Sequence, residues 1–476
     1  LIINFLIKIK TMDMFDKLNV YSSNIAIINE NLKTFTYKDL LISADELGKK
    51  ITKRTTIFLI CKNSYEFIAS YVGLIRTKAV VFLINNSINE KKLSYLVNHY
   101  RPKYILIPKE KKISSIGLIE KFNLNNKYKL FETNFRTKQI VHAELALLMT
   151  TSGSTGSPKF VKLSYSNLLD NANKIAQYLN IKSSDRPITT MQPSYSYGLS
   201  IINSHLIKGA SIIMTERTLF EKKFWEILRK KKATTFGGVP FIFEILKKLK
   251  FNKMNLPYLN YITQAGGKLN NSLLSEFIKI SEEKKIRFYT MYGATEATAR
   301  MSYLNWKLIK KKFGSIGKPL PGGKFYINDE KNKLVKENNV VGELIYEGNN
   351  VMLGYAEKIK DLGKQNTNKK KLHTGDLARR DKDGFYYITG RKNRYLKMFG
   401  LRINLDEIEQ QIKSSSIDAA CFGSDDNLNI FITNSRKKNF ITKFLTQNLG
   451  INRSSLSINI VKKIPRNQDG KILYSN

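Results

Sequence analysis

The sequence predicts an α/β protein: a large N-terminal domain of layered α/β subdomains with a small β-rich module, followed by a small α+β C-terminal lid domain. Three observations lead there. A chain of 476 residues exceeds what one hydrophobic core supports, so it divides into domains. From 15 to 159 short β-branched runs alternate with helix-length segments, the rhythm of a largely parallel sheet covered by helices. Near Gly342 the texture changes to hairpin-like runs with Gly and Asp turns, and beyond Gly390 to a short αβ pattern.

In order, IAIIN, TIFLIC, AVVFLIN and KYILIP read as strands, with helices over 37–51 and 65–76 between them. The rhythm resumes after Asp185 with SIIMT, TTFGGV, YITQAGG and RFYTMYG, each followed by a helix-like stretch. GELIYEG and GFYYITG are the hairpin strands of the β-rich module. The tail offers a helix over 405–413, the strands AACFG and NIFIT, a helix from Asn439 and the strand SINIV. The pattern change and the motifs place the domain boundary between 1–392 and 393–476.

Hydrophobic residues at 42% and charged residues at 25% are ordinary for a folded globular chain and exclude wholesale disorder. The net charge of +41 invites a nucleic-acid reading. The lysines, however, are spread from Lys8 to Lys471 in short runs, without the basic-aromatic stripe that a nucleic-acid surface needs, so solvated surface is expected and no nucleic-acid partner. The two cysteines, Cys61 and Cys421, have neither disulfide nor zinc spacing and fit a reducing cytoplasm. The opening LIINFLIKIK is interrupted by Lys8 and falls short of the roughly 20 residues of a membrane span, so it reads as an extension. No later uncharged stretch reaches that length, and a soluble chain without a transmembrane segment is expected.

Four segments carry chemistry. In LLMTTSGSTGSPKFV an apolar strand enters a loop of glycines and hydroxylated residues that ends in Lys159. Glycines allow backbone amides to approach a phosphate closely, and Ser and Thr hydroxyls add donors. It is not a Walker A loop, because Pro158 takes the place of the second glycine and Phe160 follows the lysine. In TMYGATEAT a Tyr at a strand end can stack on a base, a Thr can reach a phosphate and a Glu can hold Mg²⁺, although YGATE alone also describes a strand turning into a capped helix. In the third segment, LHTGDLARRDKDGFYYITGRKNRYLKMFGLRINLDEIE, Asp376 can accept both ribose hydroxyls and Arg391 offers a donor fork to the same sugar. IPRNQDGK sets Lys471 after a glycine turn near the end of the chain.

In this order and spacing the four segments resemble the core motifs of the acyl-adenylate-forming superfamily, which includes acyl-CoA synthetases, peptide-synthetase adenylation domains and luciferases. GELIYEGNNVMLGY and TQAGGKL resemble two further motifs, so the likeness covers nearly the whole chain. The resemblance implies ATP-dependent activation of a small-molecule carboxylic acid to acyl-AMP, with Mg²⁺, and then acyl transfer to the thiol of coenzyme A or of the phosphopantetheine on an acyl carrier protein. Adenylation with a non-thiol acceptor, or nucleotide binding without catalysis, are the alternative outcomes.

By this resemblance Thr151, Ser152, Gly153, Ser154, Thr155, Gly156 and Lys159 grip the β- and γ-phosphates. Tyr292 packs on adenine beside Gly266 and Gly267, Thr295 touches the α-phosphate, Glu296 binds Mg²⁺, and Asp376 and Arg391 hold the ribose. Lys471 bridges the substrate carboxylate and the α-phosphate. A rotation about Lys392 or Asn393 then brings Lys397 and the Gly400 turn to the site, where the glycine lets a pantetheine arm pass. In PSYSYGLS, Tyr195 takes the place of an aromatic or His gate. Gly198 stands where amino-acid-activating relatives carry an Asp, which argues against an α-amino acid as substrate. Phe160 departs from the glycine usual after the loop lysine.

Overall fold

A computed structural model describes residues 14–113, 117–135, 139–150, 159–364, 370–392, 394–398, 401–415, 417–424, 426–448, 451–466 and 472–473. The predicted α/β class is what it shows. The first large sheet has eight strands, in spatial order Tyr355–Ala356, Phe160–Ser164, Leu145–Thr150, Val80–Asn85, Thr56–Cys61, Tyr104–Pro108, Tyr128–Glu132 and Ile119–Leu124. Its centre is parallel, and every residue of TIFLIC is buried because helices cover both faces. The two strands at the far edge are antiparallel, and the α/β rhythm did not foreshadow them.

The helices begin where the sequence provides caps. Thr36 and Asp39 close a capping box at the start of Tyr37–Gly48, and Ser64 caps Tyr65–Arg76. The first helix stops short of the expected Ile51. SIIMT supplies only Ile212–Ile213, which pairs in parallel with Ile25–Ile28.

The second sheet positions the site. Thr235–Gly238, Tyr261–Gln264 and Arg287–Tyr292 run parallel in register, with Gly238 opposite Gln264 and Gln264 opposite Thr290. Three loops therefore leave the same carboxyl-end edge, where open α/β sheets bind ligands: Val239-Pro240, Ala265-Gly266-Gly267 and Gly293-Ala294-Thr295. The β-rich module is a four-stranded antiparallel sheet of Lys324–Asn328, Gly342–Glu347, Lys371–Arg380 and Tyr386–Arg391.

After it the chain forms the hairpin Tyr395–Met398 with Leu401–Asn404, the helices Leu405–Ser414 and Lys438–Asn448, and a three-stranded sheet ending in Leu456–Ile460. These elements enclose a core of their own around Ile408, Ile412, Cys421, Ile430 and Leu445. The chain enters this unit between two anchors. Lys392 donates its backbone N–H to Gly375 and its ammonium to Glu343 at 2.9 Å. Two residues on, the Arg394 guanidinium holds Asp406 at 2.9 Å, Glu409 at 2.6 Å and the Cys421 carbonyl at 2.7 Å. Both cysteines are buried and free, and among the described residues no helix is long and apolar enough to cross a membrane.

Candidate active site

The Arg287–Tyr292 strand delivers Tyr292 to the edge of the β-rich module, where its hydroxyl donates to Asp376 Oδ2. Asp376 faces Arg391 across the Lys371–Arg380/Tyr386–Arg391 ladder, and the Arg391 Nε donates to its other oxygen at 3.2 Å. Burial pushes the Asp376 carboxyl above its ordinary range, against the opposing pull of Arg391 and the Tyr292 hydrogen bond. Burial and the facing carboxylate push the Tyr292 hydroxyl up, so it stays protonated and donates. Arg391 remains largely open to solvent, its fork free to meet a second acceptor.

Gly266 has φ +80, and a Cβ there would lie 2.6 Å from the Tyr195 hydroxyl and 2.9 Å from Val239 Cγ1. Only glycine suits that conformation in that space. The Gln264 amide ties the turn by donating to the Gly267 carbonyl at 2.7 Å. Tyr195, immediately before the helix Ser196–Leu206, thus closes on the same loop that flanks Tyr292.

Beyond Tyr292 the chain makes the short turn Thr295–Ala297 and then a γ-turn at Thr298, with φ 66, ψ −55 and Ala299 N–H donating to the Ala297 carbonyl at 2.7 Å. That conformation is strained for a β-branched residue, and the surroundings hold it there. Thr298 Oγ1 donates to the Asn350 carbonyl at 2.7 Å, and the Asn350 amide donates to the carbonyls of Ala297 and Arg300, each at 2.8 Å. Asn350, wholly buried, accepts in turn from the Tyr346 hydroxyl at 2.8 Å. The GELIYEGNNVMLGY segment is therefore a brace for the ATE turn. Of the two asparagines of GNN, Asn349 is exposed and Asn350 is the buried brace.

The brace also brings Tyr355 to the site, a residue that the sequence analysis did not single out. Its hydroxyl donates to Glu296 Oε1 at 2.9 Å, and the Lys159 ammonium sits 3.7 Å above its ring. Lys159 also lies 3.9 Å from Glu357. Cross-strand pairing explains the meeting, since Tyr355 lies opposite Val161 and Ala356 opposite Phe160. Phe160 fills the floor below, edge-on to Phe82 and Tyr100 at centroid distances of 5.1 and 5.2 Å. The buried Lys162 fastens this strand to the following turn, donating to the carbonyls of Asp361 at 2.7 Å and Lys364 at 3.0 Å. Thr295 Oγ1 donates to Ser196 Oγ at 3.2 Å, which joins the turn to the Tyr195 helix.

The Glu296 carboxylate fits a metal only as one ligand among several. Its second oxygen has no hydrogen-bond partner among the described residues, and no cluster of three metal-ligating side chains occurs among them. A divalent cation held there would take its other ligands from phosphate and water, as Mg²⁺ does.

Gly198 lies against backbone, where a Cβ would be 2.5 Å from the Gln192 carbonyl oxygen and 3.3 Å from that of Met191. Its lack of a side chain lets the helix pack on backbone, and the residue of this helix that reaches the Gly266 loop is Tyr195. Lys397 lies opposite Arg402 in its hairpin, and its side chain is outside the described residues. Thr151, Ser152, Gly153, Ser154, Thr155, Gly156, Asn393, Gly400 and Lys471 are outside them altogether.

Comparison with known proteins places the chain among named relatives. The oxalate–CoA ligase of Saccharomyces cerevisiae is 24% identical over 515 residues, spanning 95% of this chain and 93% of that protein. The 2-succinylbenzoate–CoA ligase of Oceanobacillus iheyensis is 26% identical over 479 residues, spanning 95% of each. The fold matches that of the O-succinylbenzoate coenzyme A synthetase from Bacillus subtilis in complex with AMP, with a TM-score of 0.79 over 97% of this chain and 96% of that one, at 20% identity. The sequence model of the AMP-binding enzymes matches residues 15–356, most of the large domain with the Lys159, Tyr292, Glu296 and Tyr355 segments, and the chain belongs to that family.

Proposed function

We propose that the chain condenses a carboxylic acid with ATP to give acyl-AMP and pyrophosphate, and then passes the acyl group to the thiol of coenzyme A. The observation that carries this reading is the convergence on one sheet edge of a sugar-binding set, Tyr292, Asp376 and Arg391, with a phosphate-and-metal set, Lys159, Thr295, Glu296 and Tyr355. Both curated relatives are by name CoA ligases of organic acids, which supports coenzyme A as the acceptor.

The chemistry follows from charge. A carboxylate must attack an anionic phosphorus, so cations and donors fixed around the α-phosphate lower the barrier by meeting charge as it develops. Asp376 and Arg391 would orient the ribose, with Tyr292 beside the base. Thr295 and Lys159, with the loop 151–156, would hold the phosphates. Glu296 would hold Mg²⁺, which when bound neutralises triphosphate charge and eases departure of pyrophosphate. Lys471 would bridge the two reacting anions.

We place the domain division at 392/393, supported by the Lys392 anchors on one side and the Arg394 anchors on the other. Rotation about that point would bring Lys397 and Gly400 to the thiol. A cytoplasmic setting suits ATP as substrate and two unpaired thiols. Pyrophosphate release across a panel of carboxylic acids, with and without coenzyme A, tests the whole reading. Acid-dependent release with acyl-CoA found by mass spectrometry supports it, and acyl-AMP accumulating with coenzyme A present points to a carrier protein or a non-thiol acceptor. Silence across a broad panel removes it.

A further inference from the structure

Two buried cations near this site have no carboxylate partner among the described residues: Lys162, whose ammonium is met by two backbone carbonyls, and Arg300, whose guanidinium is met by none. Arg300 is 3% exposed, and among the described residues no Asp or Glu lies within ion-pair distance of it. Its backbone is fixed just past the γ-turn, where its carbonyl accepts from Asn171 at 2.9 Å and from Asn350 at 2.8 Å. The side chain runs inward from there. Its Nε donates to Met291 Sδ at 3.3 Å, and the guanidinium carbon lies 4.0 Å from the centre of the Tyr197 ring. The Tyr178 phenol, which donates to the same sulfur at 2.8 Å and turns its oxygen toward the guanidinium, completes the surroundings as a neutral acceptor.

The position matters. Met291 directly precedes Tyr292. Tyr197 sits two residues after Tyr195, and its hydroxyl is 2.7 Å from Thr263 Oγ1, on the strand that leads to Gly266. The guanidinium is thus held by the same elements that carry Tyr195, Gly266 and Tyr292. Gly237, on the neighbouring strand, completes the group, since a Cβ there would lie 2.7 Å from the Tyr197 hydroxyl and 3.0 Å from Thr263 Oγ1.

Burying an ion is costly unless a counter-charge and hydrogen bonds compensate. A ring face recovers part of that cost and a thioether little more. Other partly buried arginines among the described residues have oxygen acceptors: Arg394 has Asp406 and Glu409, Arg466 has Asp418, and Arg54 has the carbonyls of His142 and Leu145. Among the same residues the Arg300 guanidinium has neither a carboxylate nor a carbonyl, and it packs on Tyr197, two residues from the expected gate residue Tyr195.

We infer that Arg300 anchors a second anionic group of the acid, so that the substrate is a dicarboxylate or an equivalent doubly anionic acid. One carboxylate is presented to the nucleotide and the other meets the guanidinium, with Tyr197 keeping the fork in plane. This inference rests on the adenylation reading.

The test compares matched acids, succinate against butyrate and phthalate against benzoate, by two readouts: acid-dependent pyrophosphate exchange, and the shift in melting temperature caused by each acid in the presence of AMP. The wild type should prefer the doubly anionic member of a pair by about 100-fold in kcat/KM, and Arg300→Met should abolish that preference, as expected when one partner of a buried charge pair is removed. Arg300→Lys, which keeps the charge but loses the fork, should raise KM for the doubly anionic acid with little change in kcat. If Arg300→Met does not fold, this second variant decides. A wild type that prefers the monoanion, or variants that leave the preference unchanged, overturns the inference. If no acid supports exchange, the adenylation reading fails for these acids and melting decides separately. A stabilisation by the doubly anionic acid that is lost in the variants upholds Arg300 as an anion site, and no stabilisation of the wild type overturns it.

Discussion

The hydroxyl of Tyr355 donates to Glu296 at 2.9 Å while its ring lies 3.7 Å beneath the ammonium of Lys159, so one side chain locates both the proposed metal ligand and the proposed phosphate-binding cation. The two roles separate by mutation. Tyr355→Phe keeps the ring and loses the hydroxyl, and should raise the Mg²⁺ concentration needed for half-maximal pyrophosphate exchange by about 10-fold or more, the worth of one hydrogen bond to a charged group. Tyr355→Leu also loses the seat for Lys159 and should in addition raise KM for ATP. A Mg²⁺ titration at fixed ATP distinguishes the two.

Asp376 should trade stability for binding. Because burial raises its carboxyl pKa in the folded protein, the folded state binds the proton more tightly than the unfolded chain does. Its contribution to stability is therefore fully present below the unfolded pKa and lost as pH rises through the folded one. At neutral pH Asp376→Asn should raise the melting temperature while weakening ATP binding by about 10-fold or more, since a ribose hydroxyl loses a charged acceptor. Calorimetric titration of ATP and thermal melting, measured on the same samples, check both signs.

His205 should make the fold acid-sensitive. It is buried, with Nδ1 2.8 Å from the Ile201 carbonyl and Nε2 3.2 Å from the Tyr261 hydroxyl, and burial lowers its pKa to about 4. A depressed folded pKa means that its stabilising contribution is present above the unfolded value of about 6.5 and is lost as pH falls towards 4. At pH 5 the loss should be about 2 kcal/mol. Denaturant unfolding at pH 7.5 and 5, compared with His205→Gln, should show a flatter pH dependence in the variant.

Asn350→Ala should damage both fold and catalysis. The substitution removes one hydrogen bond from each of the Ala297 and Arg300 carbonyls, which keep Ala299 and Asn171 as donors, and leaves the buried Tyr346 hydroxyl without its acceptor, a loss of about 3 kcal/mol. Thr298 keeps its bond to the backbone carbonyl of residue 350, but the γ-turn loses the amide that ties the residues on either side of it, so kcat should fall more than the melting temperature alone would suggest. Exchange assays well below the melting temperature separate the two effects.

Lys471→Ala should lose carboxylate-dependent pyrophosphate exchange and still form thioester from supplied acyl-AMP. Normal exchange in this variant would remove Lys471 from the first step.

The parts of this protein legible in its sequence are those whose physics is local. TIFLIC declares a strand buried on both faces, and the turn at Asp381 to Gly384 sets Ala378 opposite Ile388, whereas the one-residue register shift between Leu377 and Ala378 that puts Asp376 opposite Arg391 has no such signal. Tyr355 was not legible, because its meeting with Glu296 and Lys159 depends on an antiparallel edge pairing between segments far apart in the chain. Arg300 was hidden by composition, since in so basic a chain one more arginine looks like surface.

Only one residue separates the Lys392 anchors from the Arg394 anchors. With so short a tether, any reorientation of the small unit must be absorbed by a few backbone torsions. In the rotation proposed above the unit would act less like a domain on a leash than like a switch on a single pivot, choosing between a few discrete faces with almost no volume to search. A reactive intermediate left on the large domain could meet a second chemistry without first diffusing away.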